Sequence, residues 1–189
     1  MTAEINSTME FISPADIKHI TSIGGGPIGG GWTAHFLARG YDVTSYLHSE
    51  AEVAGFHNII NTAWISLEEL GLAEGASRDR LTITTDIADA VKDAQFIQES
   101  APEVLELKQA LYEQLGELVP KNVVIASSTS GLTMTEIQAR CGTAARTVVG
   151  HPFNPPYLLP LVEIVGGDQM QLPIGRMHFM RLLAKHRSF

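Results

Sequence analysis

The chain has 189 residues, 44% of them hydrophobic, and a formal net charge of −8. That length is enough for one domain with a sizeable core, and the acidic balance argues against nucleic acid or an anionic membrane as the main partner. The single cysteine, Cys141, excludes an intrachain disulfide and a cysteine-based metal cluster. We therefore expect no metal and a reducing, cytoplasmic setting. No stretch reaches the ~18 apolar residues that a membrane-spanning helix needs.

The N-terminal segment has neither the cationic start nor the long apolar run of a signal peptide or a membrane anchor. Residues 1–16 are therefore predicted to form a flexible tail. The remainder, residues 17–189, is predicted to form one dinucleotide-binding domain.

The glycines at positions 24, 26 and 29 follow the spacing G-x-G-x-x-G between two predicted elements. A β-like run from Ile17 to Ile23 precedes them, and a helix-like run from Pro27 to Arg39 follows. In a dinucleotide site, Gly24 permits a tight turn, Gly26 lets the backbone approach a pyrophosphate, and Gly29 lets the helix pack closely. The spacing alone is a weak indication of a dinucleotide site, because any βα turn can be rich in glycine. Its position between a predicted strand and a predicted helix strengthens that indication.

Strands and helices alternate along the rest of the chain. β-branched and aromatic residues predict strands at 41–47, 81–84, 96–100, 123–127, 146–150 and 161–165. Helices are predicted at 52–70, 87–92 and 105–119, with a short one ending at Ile137. The helix at 105–119 has one apolar face, made of Leu107, Leu111, Leu115 and Leu118. This alternation predicts an α/β fold with a doubly wound, mostly parallel Rossmann-type sheet.

The end of the second predicted strand departs from the dinucleotide-binding pattern. Such folds carry an acid there that binds the adenosine ribose, whereas this chain has Leu47 and His48, with Glu50 as the next acid. Loss of that charge-assisted hydrogen bond costs about 1.5–3 kcal/mol. The affinity for the dinucleotide is then expected to fall roughly ten- to a hundredfold.

His151 is the leading candidate for chemistry. It follows the strand at 146–150 and precedes the loop at 152–156, which three prolines are expected to keep out of regular structure. Asn154 is near in sequence, and Glu163 lies on the next strand, where its carboxylate could orient the imidazole and favour its charged form. The other ring nitrogen could then take the proton of an alcohol. The alternative is a strand-end histidine whose ring is satisfied by the backbone.

A run of small hydroxyl residues, Ser127 to Ser130, ends another predicted strand. The Ser130 hydroxyl is a candidate to hydrogen-bond the same substrate oxygen as His151. Serines in this position also serve as turn or N-cap residues, so both functions stay open.

Three motifs together resemble those of the 3-hydroxyacyl-CoA dehydrogenases. They are Gly24-Gly25-Gly26-Pro27-Ile28-Gly29, Ala126-Ser127-Ser128-Thr129-Ser130-Gly131-Leu132 and Gly150-His151-Pro152-Phe153-Asn154-Pro155. Two further segments, Gln98 to Glu103 and Tyr157 to Gly167, are most similar to the L-carnitine 3-dehydrogenase branch of that family. The resemblance covers residues 17–169.

The resemblance implies NAD as the cofactor and reversible oxidation of a 3-hydroxy group to a 3-keto group. It implies that His151 is the catalytic base, with Glu163 as its carboxylate partner, and that Ser130 and Asn154 hold the substrate oxygen. The residues that it assigns to the cofactor site are Gly24, Gly26, Pro27, Ile28, Gly29, Glu103 and Lys108. L-Carnitine is the favoured substrate, and 3-hydroxybutyryl-CoA is the alternative. Tyr157 is either a cation–π partner for the trimethylammonium group of carnitine or a packed loop residue.

Members of that family continue into an all-helical domain that completes the substrate cleft and makes the dimer. This chain ends at Phe189, after a predicted helix that begins near Met170. We therefore expect a Rossmann-type domain that lacks the C-terminal helical domain. Two interpretations stay open: a dehydrogenase of a small 3-hydroxy substrate, forming a homodimer, and a truncated NAD-binding module without turnover.

Overall fold

The computed structural model describes residues 11–170. Its strands are β1 (His19–Ile23), β2 (Asp42–Tyr46), β3 (Leu81–Thr84), β4 (Phe96–Glu99), β5 (Val124–Ser127), β6 (Thr147–Pro152) and β7 (Val162–Gly166). The α-helices between them are α1 (Pro27–Ala38), α2 (Val53–Leu70), α3 (Ile87–Val91), α4 (Leu105–Leu118) and α5 (Met134–Ile137). Short 3₁₀ turns precede α2, β3 and β6 and follow α5.

The strands form one sheet in the order β3-β2-β1-β4-β5-β6-β7. Strands β1 to β6 are parallel, and β7 runs antiparallel to β6. The chain builds outward from β1 to β3 and then returns to place β4 on the other side of β1. Open α/β sheets bind ligands at such a reversal, outside the carboxyl ends of the strands. The predicted doubly wound, mostly parallel Rossmann-type sheet is confirmed.

Different helices cover the two faces of the sheet. Phe96 and Val124 pack with residues of α1 and α2 in one core cluster. Their chain neighbours Ile97 and Ile125 pack with residues of α3, α4 and α5 in a second cluster. Because successive side chains of a strand point to opposite faces, a strand covered on both sides is apolar at nearly every position. This explains the apolar residues Val124, Ile125 and Ala126 of β5. In β4, Phe96 and Ile97 follow the same rule, whereas the next two residues, Gln98 and Glu99, are buried polar residues.

Helix α1 lies between the sheet and α2, and all of its residues from Gly29 to Ala38 are buried. Trp32 stacks on Phe36 with 5.3 Å between the ring centroids. A helix that is apolar all round has to be covered on every side, and here the sheet and α2 cover it. The N-terminus of α1 is thereby fixed at the carboxyl edge of β1.

The buried face of α4 differs from the predicted leucine face. The predicted residues were Leu107, Leu111, Leu115 and Leu118. The prediction is confirmed for Leu115, which is buried, and Leu111 packs against the second core cluster. It is wrong for Leu107 and Leu118, which are exposed, whereas Lys108 and Tyr112 are buried with Leu115. The helix is turned this way because the Lys108 ammonium pairs with a buried carboxylate, that of Glu99 on β4.

Strand β6 extends one residue into the segment that was expected to be irregular. Pro152 is its last residue and lies opposite Val162 of β7. The prediction was wrong at this residue because Pro152 ends β6 and lies beyond Val149, the last residue of β6 that pairs with β5. A proline in such a place interrupts few ladder hydrogen bonds. The next amide, that of Phe153, donates to the Leu161 carbonyl at 3.1 Å. The connecting loop therefore begins at Phe153.

Contacts of the domain reach into the predicted N-terminal tail. Phe11 is buried in the core, and the Ile12 amide donates to the Asn122 carbonyl at 3.3 Å. The boundary between residues 16 and 17 stays a prediction. Residues 1–10 and, after Met170, the rest of the predicted last helix lie outside the described residues. Within residues 11–170, no helix has the length and apolar character needed to cross a membrane.

Candidate active site

The glycine turn has the geometry that its spacing predicts. Gly24 has a φ of +115°, a conformation that favours glycine, and its amide donates to the Tyr46 carbonyl at 3.0 Å. This bond ties the turn to the end of β2. A Cβ on Gly29 would overlap the carbonyl of Gly24, so glycine lets α1 begin directly against the turn.

The N-terminus of α1 is open to an anion. Its N-cap residue, Gly26, has no capping side chain, and the first turn, which begins at Pro27, carries no acidic residue. No neighbouring atom lies within 4 Å of the position that a Cβ on Gly26 would occupy. The amides of a first helical turn and the positive end of the helix dipole favour phosphate groups. A pyrophosphate can therefore approach this backbone closely.

His151 and Glu163 form a hydrogen-bonded pair near the outer side of the sheet. The antiparallel register of β6 and β7 places the two residues opposite each other, and His151 Nδ1 lies 2.8 Å from Glu163 Oε2. A carboxylate accepts the proton of Nδ1–H, which leaves Nε2 as the acceptor of the neutral ring. The His151 side chain is 29% exposed and that of Glu163 is 59% exposed. The pair is therefore accessible to a ligand.

Glu103 holds the loop that carries Ser130. Its Oε1 accepts hydrogen bonds from the Thr129 hydroxyl at 2.6 Å and from the amides of Ser130 and Gly131 at 2.9 and 2.8 Å. Desolvation by itself would raise the pKa of Glu103, but these hydrogen bonds and the nearby Lys108 charge outweigh it and lower the pKa below its ordinary value. At neutral pH an ionised Glu103 therefore fixes the backbone of Ser130.

A buried ion pair lies beneath this loop. Lys108 Nζ is 2.6 Å from Glu99 Oε1, and the two side chains are 1% and 0% exposed. Glu99 also accepts hydrogen bonds from the Ala101 amide and the Ser127 hydroxyl. Lys108 further donates to the Ala101 carbonyl at 3.1 Å and lies 3.7 Å from a carboxylate oxygen of Glu103. Buried charges are tolerated when they are paired and hydrogen-bonded in this way.

Ser128 connects the carboxyl ends of three strands, and sequence reasoning did not single it out. Its Oγ lies 2.8 Å from Gln98 Nε2, 2.9 Å from Ser100 Oγ and 3.3 Å from Trp32 Nε1. Gln98 also donates to the carbonyl of Gly150, at 3.4 Å. The network links β4, β5 and β6, and it reaches β6 at Gly150, the residue that precedes the candidate base His151. The available signal was Gln98, a polar residue that directly follows the apolar Phe96 and Ile97 in a predicted strand.

The structure brings some of the predicted site residues together and leaves others apart. His151 contacts Glu163, and Glu103 contacts the backbone of Ser130. Ser130 and Asn154 are exposed on the loops that follow β5 and β6, which are neighbouring parallel strands. Within residues 11–170, neither side chain hydrogen-bonds to His151. Their contact with a substrate oxygen stays a prediction.

Tyr157 is partly buried and packs against the core cluster that contains α1. This position fits the alternative of a packed loop residue. The aromatic ring beside the candidate base is that of Phe153, whose centroid lies 6.3 Å from that of His151 and whose side chain is exposed. In the part of the chain that the structure describes, no group of three or more His, Cys, Asp or Glu residues could hold a metal ion.

Residues 19–173 match the family model for the NAD binding domain of 3-hydroxyacyl-CoA dehydrogenases. The chain belongs to this family. The match spans most of the chain and contains the glycine turn, the Ser130 loop and the pair of His151 and Glu163. The recognition from sequence motifs is thereby confirmed, as is NAD as the cofactor of the domain.

Among curated 3-hydroxyacyl-CoA dehydrogenase relatives, a protein named L-carnitine dehydrogenase from Streptomyces griseus is 56% identical over 155 residues, which cover 82% of this chain and 46% of that protein. A protein of the same name from Pseudomonas aeruginosa is 44% identical over 161 residues, covering 85% and 50%. The chain thus spans about half the length of the curated relatives it matches. The crystal structure of 3-hydroxybutyryl-CoA dehydrogenase from Escherichia coli has a TM-score of 0.80 and 29% identity, covering 89% of this chain and 36% of that one.

The residues of this 3-hydroxyacyl-CoA dehydrogenase domain fit NAD at the phosphates and depart from the usual pattern at the ribose. The turn from Gly24 to Gly29 leaves an open approach to the N-terminus of α1. Leu47, directly after β2, is fully buried and has its amide bonded to the Thr84 carbonyl at 3.0 Å. Leu47 therefore supplies no hydrogen-bond acceptor from its side chain to a ribose.

Proposed function

We propose that this chain supplies the NAD-binding and proton-transfer residues of a dehydrogenase that oxidises a 3-hydroxy group to a 3-keto group, with L-carnitine as the favoured substrate. The observation that carries the proposal is the 2.8 Å pair of His151 Nδ1 and Glu163 Oε2 at the carboxyl end of β6. The identity to proteins named L-carnitine dehydrogenase, 56% for the Streptomyces griseus protein, supports the choice of substrate.

In this proposal, His151 is the general base. Its Nε2 accepts the proton of the substrate hydroxyl, because Nδ1–H is already bonded to Glu163. The imidazolium that forms is stabilised by the negative charge of Glu163. NAD, when bound at the α1 N-terminus, supplies the acceptor for the hydride that leaves the substrate carbon.

Ser130 and Asn154 are proposed to hold the substrate oxygen beside His151. Ser130 is suited to this because Glu103 binds its amide at 2.9 Å, which fixes the backbone from which the hydroxyl projects. Glu103 is in turn 3.7 Å from Lys108, whose ammonium is buried. Positioned hydrogen-bond donors reduce the reorganisation that a reaction requires. Glu103 and Lys108 thus act in the proposal through the loop that they hold.

A 3-hydroxyacyl-CoA ester is the second candidate substrate. It is favoured by the likeness to the solved 3-hydroxybutyryl-CoA dehydrogenase of Escherichia coli, with a TM-score of 0.80. The two substrates share the reacting 3-hydroxy group and differ in the rest of the molecule. His151 and Glu163 would perform the same proton transfer on either one.

The formation of NADH, followed by absorbance, tests the proposed function with the full 189-residue chain. L-Carnitine and 3-hydroxybutyryl-CoA are supplied separately at saturating NAD. NADH formation with L-carnitine supports the favoured substrate, whereas formation with the CoA ester alone shifts the proposal to the second. No NADH with either substrate, at high protein concentration, contradicts the dehydrogenase proposal and leaves an NAD-binding module without turnover.

A further inference from the structure

A carboxylate lies near the carboxyl end of β2, although Leu47, the residue directly after the strand, supplies none. Glu52 is the last residue of the 3₁₀ turn Glu50–Glu52, which connects β2 to α2. Of the atoms around the position that a Cβ on Gly25 would occupy, the nearest is Glu52 Oε2, which such a Cβ would overlap. The next nearest is Leu47 Cδ2, at 3.2 Å. The Glu52 carboxylate therefore lies against the glycine turn and beside the Leu47 side chain.

The local chain geometry accounts for this placement of Glu52. Ser49 caps the 3₁₀ turn, with its Oγ accepting a hydrogen bond from the Ala51 amide at 3.0 Å. The turn places the Glu52 carboxylate against Gly25, which follows β1, and near Leu47, which follows β2. Helix α2 begins at the next residue, Val53, so the position of Glu52 is fixed from both sides.

The Glu52 carboxylate has unused hydrogen-bonding capacity. Its side chain is only partly buried, and within residues 11–170 no side chain forms an ion pair or hydrogen bond with its oxygens. A carboxylate offers about four acceptor positions, which is enough for two neighbouring hydroxyl groups. Dinucleotide sites place the ribose of the adenosine half at this end of β2.

We propose that Glu52 binds the adenosine ribose of NAD and replaces the acid that Leu47 cannot supply. The proposal rests on the NAD-binding part of the proposed function and extends it to a residue five positions after Leu47. A carboxylate at this place also disfavours a ribose 2′-phosphate through like-charge repulsion. Glu52 is thereby a determinant of the preference for NAD over NADP.

Isothermal titration calorimetry of the full chain with NAD, NADP and NAD lacking the adenosine 2′-hydroxyl tests this assignment. The variant is Glu52→Gln, and the matched control is Glu50→Gln, which changes the other acid of the same turn. We expect Glu52→Gln to weaken NAD binding about ten- to a hundredfold. The difference between the affinities for NAD and NADP should become smaller. Glu50→Gln is expected to leave both affinities unchanged.

The 2′-deoxy analogue gives a second measurement, and its comparison with NAD in the unmodified chain does not depend on a variant folding normally. In the unmodified chain it is expected to bind more weakly than NAD, and in Glu52→Gln that difference should shrink, because both changes remove the same contact. Equal NAD affinity in Glu52→Gln and the unmodified chain would overturn the assignment, as would an equal loss in Glu50→Gln. Binding is measured without a substrate, so these results are independent of whether the chain turns over L-carnitine.

Discussion

Two pairs of charged or ionisable side chains stand at the carboxyl edge of the sheet in opposite surroundings. Lys108 and Glu99 are enclosed, with side chains 1% and 0% exposed. His151 and Glu163 form a similarly short contact between β6 and β7, with side chains 29% and 59% exposed. The first pair has its remaining hydrogen-bonding capacity taken up by Ala101 and Ser127. In the second pair one ring nitrogen, Nε2 of His151, is left for a ligand.

The buried pair fits a structural role, and the exposed pair fits the proposed catalytic role. A desolvated pair that is bonded on all sides is costly to disturb, and it fixes the loop that carries Ser130. An exposed pair contributes little to stability, and its partners can change protonation during a reaction. Disturbing the Lys108 pair should therefore unfold or loosen the domain, whereas disturbing the His151 pair should remove activity from an intact one.

The largest expected effect is that of His151→Gln on turnover. Removal of a general base lowers kcat by about 10² to 10⁴, while NAD affinity and the free energy of unfolding should change little because the ring is partly exposed. NADH formation, calorimetry with NAD and urea unfolding measure the three quantities. His57→Gln, on the exposed side of α2, is the matched control. Unchanged turnover in His151→Gln would remove this residue from the mechanism.

Lys108→Met is expected to have the largest effect on stability. It leaves the Glu99 carboxylate buried without its cation, a change that costs about 3–5 kcal/mol of unfolding free energy. Urea unfolding at neutral pH measures it. The double variant Lys108→Met with Glu99→Leu removes both charges, so it should recover much of that loss. A loss below about 1 kcal/mol in the single variant, in the range of an exposed pair, would contradict the contrast between the two pairs.

Glu163→Gln tests the exposed pair from its other side. The amide oxygen of glutamine can still accept a hydrogen bond from Nδ1–H, but it carries no charge to stabilise an imidazolium. Turnover should fall about tenfold, since charge-assisted and neutral hydrogen bonds differ by about 1 kcal/mol or more. The free energy of unfolding should change by less than about 1 kcal/mol. Equal losses of stability in Glu163→Gln and Lys108→Met would show that the two pairs have the same structural role.

Much of the fold could be predicted because its causes are local in sequence. Mostly apolar strands such as β5, with Val124 and Ile125 facing opposite cores, indicate a sheet covered on both sides. The glycine spacing indicated the turn, and Gly24 has the positive φ that it requires. The contact between His151 and Glu163 was also foreseeable, because the two residues lie on consecutive strands, and consecutive strands often pair. In the structure they lie opposite each other.

The features that sequence reasoning missed depend on partners far along the chain. The leucines of α4 suggested a buried face, but Lys108 turned the helix toward Glu99, which lies on another element. Glu50 was named as the next acid after Leu47, yet the 3₁₀ turn directs Glu52 to the glycine turn instead. Pro152 was assigned to the loop because proline lacks an amide donor, whereas its place at the strand end makes that donor unnecessary.

The smallest expected effect is that of Glu103→Gln on the acid dependence of stability. Glu103 contacts the Ser130 loop and lies near Lys108 of the buried pair. Its pKa is lowered from 4.5, so its contribution to stability is fully present above that pH and is lost as the pH falls through its lower folded-state pKa. Glu103→Gln should therefore make the unfolding free energy less sensitive to acid below about pH 4.5, as measured by urea unfolding over a pH series. Glu117→Gln, an exposed change on α4, should leave the acid dependence unchanged. An identical pH dependence in Glu103→Gln and the unmodified chain would mean that the hydrogen bonds of Glu103 do not stabilise the Ser130 loop through its charge.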